Sequence, residues 1–140
     1  MGYTFIDHTA DVAADLSAGS PAGLFRFAAQ ALTDTITDIG AVRPSVTQSV
    51  TLESGTVEDL LVDWLNELLY RFEVRNMLVS DAAVTLRESG GRWQLEATTS
   101  GEPFDPERHP TRVLVKSATY HGLEVTHGAG TWRARVVFDI

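Results

Sequence analysis

The sequence predicts an α+β fold: two α-helices packed on an antiparallel-rich β-sheet, in a single domain that spans residues 1–140. Two segments carry apolar residues at helical spacing, and most of the remaining chain alternates between apolar and polar residues with a period of two. The chain has 140 residues, of which 44% are hydrophobic. That is enough for one good core and too little for two.

Both predicted helices begin with a capping pattern. The first opens at Ser20-Pro21, a capping residue followed by proline at the first helical position, where a missing N–H costs nothing. The second opens at residues 56–59, "TVED", with two acids beside the positive end of the helix dipole. The apolar residues at helical spacing are Leu24, Phe25, Ala28, Ala31, Leu32 and Ile36 in the first helix, and Leu61, Trp64, Leu65, Leu68, Leu69 and Phe72 in the second.

The alternating segments predict strands around these helices. A strand pair precedes the first helix, one strand around Val46, Val50 and Leu52 lies between the helices, and a run of strands follows the second. In that run "AVTLRE" and "WQLEAT" flank Ser89-Gly90-Gly91, which indicates a hairpin turn. The later strands are predicted at "RVLVKSATY", "LEVTHG" and "TWRARVVFDI".

Composition argues against several classes of function. The formal net charge is −8, so a large basic face for nucleic-acid phosphates is not expected. The absence of cysteine removes disulfides, thiolate catalysis and soft metal sites. No apolar run approaches the ~20 residues of a membrane span, and no secretory signal is visible at the start of the chain. We therefore expect a cytoplasmic protein without strong nucleic-acid binding.

One predicted connection, residues 100–112, has a character of its own. The segment "SGEPFDPERHPTR" holds three prolines, three acids and His109. It is long for a link between strands, and long loops are often functional. The alternative is a solvated crossover stiffened by proline.

Acidic residues lie at both ends of the chain. Asp7, His8 and Asp11 fall in the opening "IDHTADV", and Asp139 is followed by Ile140. If the terminal strands are neighbours, Asp11, Asp139 and the carboxylate after Ile140 could meet, and such a group of oxygens suits a hard ion such as Ca²⁺ or Mg²⁺. The alternative is that these acids are scattered surface residues of an acidic chain.

Lys116 is a lone cation in the predicted apolar strand "VLVKSATYH". A lysine at this position is also what an edge strand uses to prevent aggregation, or simply the outward member of the alternation. The residue pattern leaves both readings open.

Five stretches, in order along the whole chain, resemble the archease family: "DHTADV" at 7–12, "LLVDWLNELLY" at 60–70, "GEPFDPERH" at 101–109, "VKSATYHGLEV" at 115–125 and the ending "FDI". The specific part of the resemblance is the His-Thr-Ala-Asp opening together with the Lys-x-x-x-Tyr-His segment and the Asp-Ile end. Asp7 stands where many relatives have glutamate, and Ser117 where alanine is usual.

The resemblance implies a non-enzymatic partner of the GTP-dependent RNA ligase RtcB, which seals tRNA halves. Members of the family promote guanylylation of the ligase and restore its turnover. The resemblance also implies a divalent cation, typically Ca²⁺, bound by Asp11, Asp139 and main-chain or terminal oxygens of Ile140. By the same resemblance Lys116 takes part in activation, and Asp7 and His8 are expected near the metal without an assigned contact.

Two other functions remain open at the level of sequence. The first is a chaperone-like assembly factor that shields apolar surface on RNA-processing enzymes. The second is a metal-dependent phosphohydrolase that uses Asp11, Asp139 and a histidine such as His8, which would need a pocket and an open metal position.

Overall fold

The two helices begin at the residues that the capping patterns predict. The computed structural model describes residues 1–7 and 11–140, the side chain of Asp7 excepted. Helix α1 spans Pro21–Ile36, and the Ser20 hydroxyl accepts a hydrogen bond from the Gly23 N–H at 3.1 Å. Helix α2 spans Val57–Arg75, with the Thr56 hydroxyl accepting from the Asp59 N–H at 3.1 Å. These side chains satisfy N–H groups that have no partner inside the helix.

Within the described part of the chain, seven strands form two antiparallel sheets. One sheet has the order β1-β2-β7-β6 and the other the order β3-β5-β4. The predicted α+β class with two helices and antiparallel sheets is confirmed. The strands are β1 Gly2–Asp7, β2 Asp11–Ala18, β3 Val46–Ser54, β4 Met77–Ser89, β5 Arg92–Pro103, β6 Ser117–Gly128 and β7 Thr131–Asp139, and a short 3₁₀ turn covers Ile39–Ala41.

One hydrophobic core joins the helices to both sheets. Each helix contacts strands of both sheets, and the largest fully buried side chains are Trp64 of α2, Phe25 of α1 and Phe138 of β7. The Trp64 indole N–H donates to the Phe25 carbonyl at 2.9 Å, which ties the helices together inside the core. Neither helix is long and apolar enough to cross a membrane, among the residues that are described.

The predicted hairpin between β4 and β5 is confirmed. Its turn is made by Gly90 and Gly91, whose φ angles of 59° and 75° lie in the region that glycine adopts without steric cost. Residues 100–103, expected in a loop, instead continue β5, because Gly101 pairs with both neighbouring strands. The connection that follows β5 therefore begins at residue 104.

The strand predicted over 112–120 is wrong at its beginning. Strand β6 starts only at Ser117, which pairs with Asp139, and β7 ends at Asp139, so no β7 residue is left to pair with 112–116. The Arg112 N–H donates instead to the Ile36 carbonyl at the end of α1. The two strands predicted at "RVLVKSATY" and "LEVTHG" form one strand, β6, whose pairing is irregular between Thr119 and Glu124.

Candidate functional site

Asp11 and Asp139 lie directly opposite each other at the ends of two neighbouring strands. Strand β2 pairs with β7 in a register that matches Asp11 with Asp139, and β6 pairs with β7 so that Ser117 also faces Asp139. Directly opposed residues of an antiparallel pair project from the same face of the sheet, with Cβ atoms about 4.5–5.5 Å apart. The fold thus brings the two predicted acids together. We call this place, formed by Asp11, Lys116, Asp139 and Ile140, the acidic corner.

Lys116 joins the acidic corner through its main chain. Its N–H donates to the Asp139 carbonyl at 2.8 Å, immediately before β6 begins, while its side chain is exposed. The interpretation of Lys116 as a residue inside a regular strand is therefore wrong. Because this main-chain bond holds Lys116 at the corner and its side chain is exposed, the ammonium group is accessible to a ligand or a partner protein.

Ile140 anchors the end of the chain at the acidic corner. Its side chain is half-buried and packs against the hydrophobic core, as does Val12 next to Asp11. These apolar contacts restrain the main chain at Ile140 and immediately next to Asp11. Ile140 follows Asp139 directly in the chain, so its main-chain oxygen belongs to the same restrained stretch of backbone.

The sheet face that carries the two acids is partly shielded from water. Ala13 and Val137 point away from the main core on this face, yet they are 0% and 4% exposed. The irregular part of β6 lies against Val137, since a Cβ built on Gly122 would stand 3.2 Å from Val137 Cγ2. Like charges repel more strongly beside a surface that excludes water than in open solvent.

Opposed residues of β2 and β7 carry opposite charges at one position and like charges at another. Asp15 and Arg135 are opposed and form a two-pronged ion pair, with nitrogen–oxygen distances of 2.7 and 3.0 Å. The hydrogen bond from Arg135 lowers the pKa of the Asp15 carboxyl. Four residues away Asp11 faces another acid, Asp139, and like charges directly opposed on two strands repel each other.

The donor set at the acidic corner fits a hard cation. Carboxylate and main-chain oxygens are the ligands that Ca²⁺ prefers. Within residues 1–7 and 11–140, no group of three or more His, Asp or Glu side chains is placed to hold a metal ion. A cation at the corner would therefore depend on Asp11 and Asp139 together with oxygens of Ile140. The expectations for His8 and for the Asp7 side chain lie outside the described residues.

The segment that leads to Lys116 is fixed by a buried polar cluster. The Glu102 carboxylate receives hydrogen bonds from the Arg108 guanidinium, the Arg43 N–H and the His109 ring, at 2.7–3.0 Å. These interactions, with Arg108 the strongest, hold the pKa of Glu102 far below its usual range. His109 is 0% exposed, and its Nδ1 accepts a hydrogen bond from the Asp105 N–H at 2.9 Å. The hydrogen of the ring is therefore on Nε2, which donates a hydrogen bond to Glu102. The expectation of a solvated crossover is wrong at His109, because the polar side chains of this segment bind one another.

Asn66 was not singled out by its sequence pattern, although it contacts a strand of the acidic corner. It lies on the polar side of the α2 stripe, where an asparagine is unremarkable. In the structure its side-chain amide forms two hydrogen bonds with the main chain of Ala118, at 2.8 and 3.2 Å. No local pattern could have indicated this contact, since the two residues are 52 positions apart.

Comparison with known proteins identifies the family. The model of the Archease protein family (MTH1598/TM1083) matches residues 3–140. The protein archease of Methanopyrus kandleri is 40% identical over 140 residues and is covered completely, as is this chain. The protein archease of Methanosarcina acetivorans is 39% identical over 99% of this chain and 95% of its own.

Two solved structures share the architecture. The solution structure of Methanobacterium thermoautotrophicum protein 1598 superposes with a TM-score of 0.85 at 30% identity, covering 99% of both chains. The crystal structure of a Thermotoga maritima protein, described as an archease and possible chaperone, has a TM-score of 0.60 at 19% identity, covering 96% of this chain and 94% of its own. The second likeness concerns the fold alone. The family model and the relatives over the full length together establish that this chain belongs to the archease family.

Proposed function

We propose that this protein is a non-enzymatic activator of an RtcB-type, GTP-dependent RNA ligase, and that it promotes guanylylation of the ligase and its repeated turnover. The observation that carries the proposal is the acidic corner. Asp11 and Asp139 are opposed on neighbouring strands, and the main chain of Lys116 is bonded to that of Asp139. These are the residues at which the resemblance to archeases places activation.

The acidic corner holds a divalent cation, Ca²⁺ being the best match to its oxygens. Two carboxylates opposed across strands, one of them half-buried, repel each other, and a dication between them removes that repulsion. Asp11 and Asp139 supply carboxylate oxygens, and Ile140 supplies main-chain oxygens. A dication bound there would balance the two carboxylates, so that Asp11, Asp139 and Ile140 would present a fixed arrangement of charge to the partner.

Activation works by positioning. The acidic corner contacts the mouth of the ligase active site and helps to set the geometry of the metal ions and of the GTP triphosphate for attack by the ligase's own nucleophile. Lys116, with its exposed ammonium group, contacts a phosphate or a carboxylate of the ligase. The net charge of −8 suits a protein that docks on the ligase and leaves RNA binding to it.

The test is a guanylylation assay of the cognate ligase under limiting GTP, with and without this protein. Asp11→Ala, Asp139→Ala and Lys116→Ala should each reduce the stimulation at least tenfold. Glu88→Gln is the matched control, because it removes one exposed carboxylate from β4, outside the acidic corner. Full stimulation by all three folded corner variants would refute the proposal.

A second candidate function is a general chaperone for RNA-processing enzymes. The Thermotoga maritima relative is described as a possible chaperone, and Leu114 and Tyr120 expose much of their apolar surface on either side of Lys116. This function predicts suppression of aggregation for unrelated client proteins and no dependence on Asp11 or Asp139. Light scattering of a heated client, with wild type and Asp139→Ala compared, separates the two candidates.

A metal-dependent phosphohydrolase would need a pocket beside the acids. A cleft of about 430 Å³ on the same sheet face is lined by residues including Asp15, Glu124 and Arg133, and not by Asp11 or Asp139. A phosphodiesterase and phosphatase screen with Mg²⁺ or Mn²⁺ tests this third function, and turnover that is lost in Asp139→Ala would favour it over the activator.

A further inference from the structure

Strand β6 is an edge strand, and the side facing away from β7 is contacted by helix α2. Among the residues that the structure describes, the sheet order β1-β2-β7-β6 leaves no strand beyond β6. An edge strand presents main-chain N–H and C=O groups that need partners when they are buried. Ala118 lies on this edge with its side chain buried.

The side chain of Asn66 takes the place of a neighbouring strand at Ala118. The Ala118 N–H donates to Asn66 Oδ1 at 2.8 Å, and Asn66 Nδ2 donates to the Ala118 carbonyl at 3.2 Å. A carboxamide carries one acceptor and one donor group side by side, as a peptide unit does, so it can bind both main-chain groups of one residue. A leucine or an alanine at this position could bind neither.

This contact lies next to the acidic corner. Ala118 follows Ser117, which pairs with Asp139, and Lys116 bonds to the Asp139 carbonyl at 2.8 Å. Beyond Ala118 the pairing of β6 with β7 soon becomes irregular, after Thr119. Only a short regular stretch therefore holds the beginning of β6 on β7, and α2 supports that stretch from the other side.

We infer that Asn66 is a positioning residue of the acidic corner: by binding Ala118 from α2 it fixes the main chain of Lys116 against Asp139. The inference rests on the proposed function for its calcium and ligase readouts alone. Without the amide, two main-chain groups of Ala118 lose their partners and the beginning of β6 opens more often than the rest of the strand.

The first experiment is residue-resolved amide hydrogen exchange by NMR on wild type and Asn66→Ala. The amides of residues 116–118 should exchange at least tenfold faster in the variant, while those of 124–128, at the other end of β6, change much less. A uniform change along β6, or no change at 116–118, would overturn the inference, since a role in global stability predicts a uniform one.

Asn76→Ala is the matched control. Asn76 also uses its side-chain amide on a main-chain carbonyl, donating to Phe104 at 3.0 Å, but at the far end of α2. This variant should lose stability without selective exchange at 116–118. Should Asn66→Ala fail to fold, Asn66→Asp keeps an acceptor for the Ala118 N–H but sets a second oxygen against the Ala118 carbonyl, and it should show faster exchange with the same pattern along β6.

The second experiment measures Ca²⁺ affinity by calorimetry and ligase guanylylation in the same variants. Asn66→Ala should bind Ca²⁺ about tenfold more weakly and stimulate the ligase less, and Asn76→Ala should match wild type. If wild-type protein neither binds Ca²⁺ nor stimulates the ligase, the proposed function fails, while the exchange pattern still decides whether Asn66 holds Lys116 against Asp139.

Discussion

Replacing Asp139 by asparagine should stabilise the protein without calcium and destabilise it with calcium, relative to wild type. The substitution keeps the size of the side chain and the main-chain carbonyl that accepts from Lys116. It removes one of the two charges opposed at the acidic corner. The two conditions therefore report on repulsion and on ion binding separately.

The magnitude without calcium follows from the register. Two unit charges about 5 Å apart repel by ~0.8 kcal/mol in water and by ~3 kcal/mol at an effective dielectric constant of 20. Asp139 is exposed, which keeps the pair near the first value, although the buried Ala13 and Val137 lie beside it. We expect the free energy of unfolding of Asp139→Asn to exceed that of wild type by about 0.5–1 kcal/mol in chelator.

The magnitude with calcium follows from linkage. At a free Ca²⁺ concentration 100 times the dissociation constant, binding to the folded state alone stabilises wild type by about 2.7 kcal/mol. Asp139→Asn should lose this gain, because a carboxylate ligand is missing. The order of stability should reverse, with wild type more stable by about 2 kcal/mol.

The assay is urea unfolding at low ionic strength, followed by the fluorescence of tryptophan, in chelator and in excess Ca²⁺. Glu88→Gln on β4 is the control for loss of one negative charge and should show no reversal. A variant less stable than wild type in chelator would contradict the repulsion between Asp11 and Asp139. A variant that keeps the full calcium gain would contradict Asp139 as a ligand.

Three further predictions concern Gly101, Gly122 and Glu102. Gly101→Ala should cost about 3 kcal/mol or more in unfolding free energy, because the new Cβ would stand 1.8 Å from the Leu78 carbonyl oxygen. Gly122→Ala should cost about 1–2 kcal/mol, since its φ is 76° and its Cβ would press on Val137, and calcium affinity should fall with it. The lowered pKa of Glu102, caused first by Arg108, gives stability that is present above the ordinary pKa of 4.5 and is lost as the pH falls below it. Chemical denaturation across the pH range should show that the free energy of unfolding falls less steeply with decreasing pH in Glu102→Gln than in wild type.

Each of these predictions has a control or a contradicting result. Gly55→Ala introduces a Cβ with no atom within 4 Å and should be nearly neutral, so equal losses at Gly55 and Gly101 would contradict the steric argument. An unchanged calcium affinity in Gly122→Ala would show that the irregular part of β6 does not influence calcium binding at the acidic corner. If the free energy of unfolding falls equally steeply with decreasing pH in wild type and in Glu102→Gln, carboxyl groups other than that of Glu102 dominate the loss of stability in acid.

The elements that the sequence predicted well depend on neighbouring residues. The Ser20 and Thr56 caps act within three positions, and the Gly90-Gly91 turn depends on two residues that tolerate positive φ. Helical spacing is likewise read from a window of the chain. For these features, residues close in sequence are the ones in contact, so a local pattern was sufficient.

The errors of prediction share one physical cause. Residues 112–116 have the apolar alternation of a strand, but β7 ends opposite Ser117, so no residue of β7 lies opposite them to continue the sheet. The sequence predicts that the polar segment around His109 is either functional or solvated. In the structure Arg108 and His109 instead form hydrogen bonds with the buried Glu102. In both places the decisive partner lies on another element of the fold.

The sequence by itself determined the two helices, the hairpin, the acidic character and the family resemblance, because each depends on local spacing or on residue identity along the chain. From the sequence, Asp11 and Asp139 were expected to lie together only if the terminal strands are neighbours. The tertiary structure decided that meeting by placing β2 beside β7, and it decided the support of Ala118 by Asn66. Both depend on the order of strands and on the packing of α2, which are set by the burial of a shared core between residues far apart in the chain.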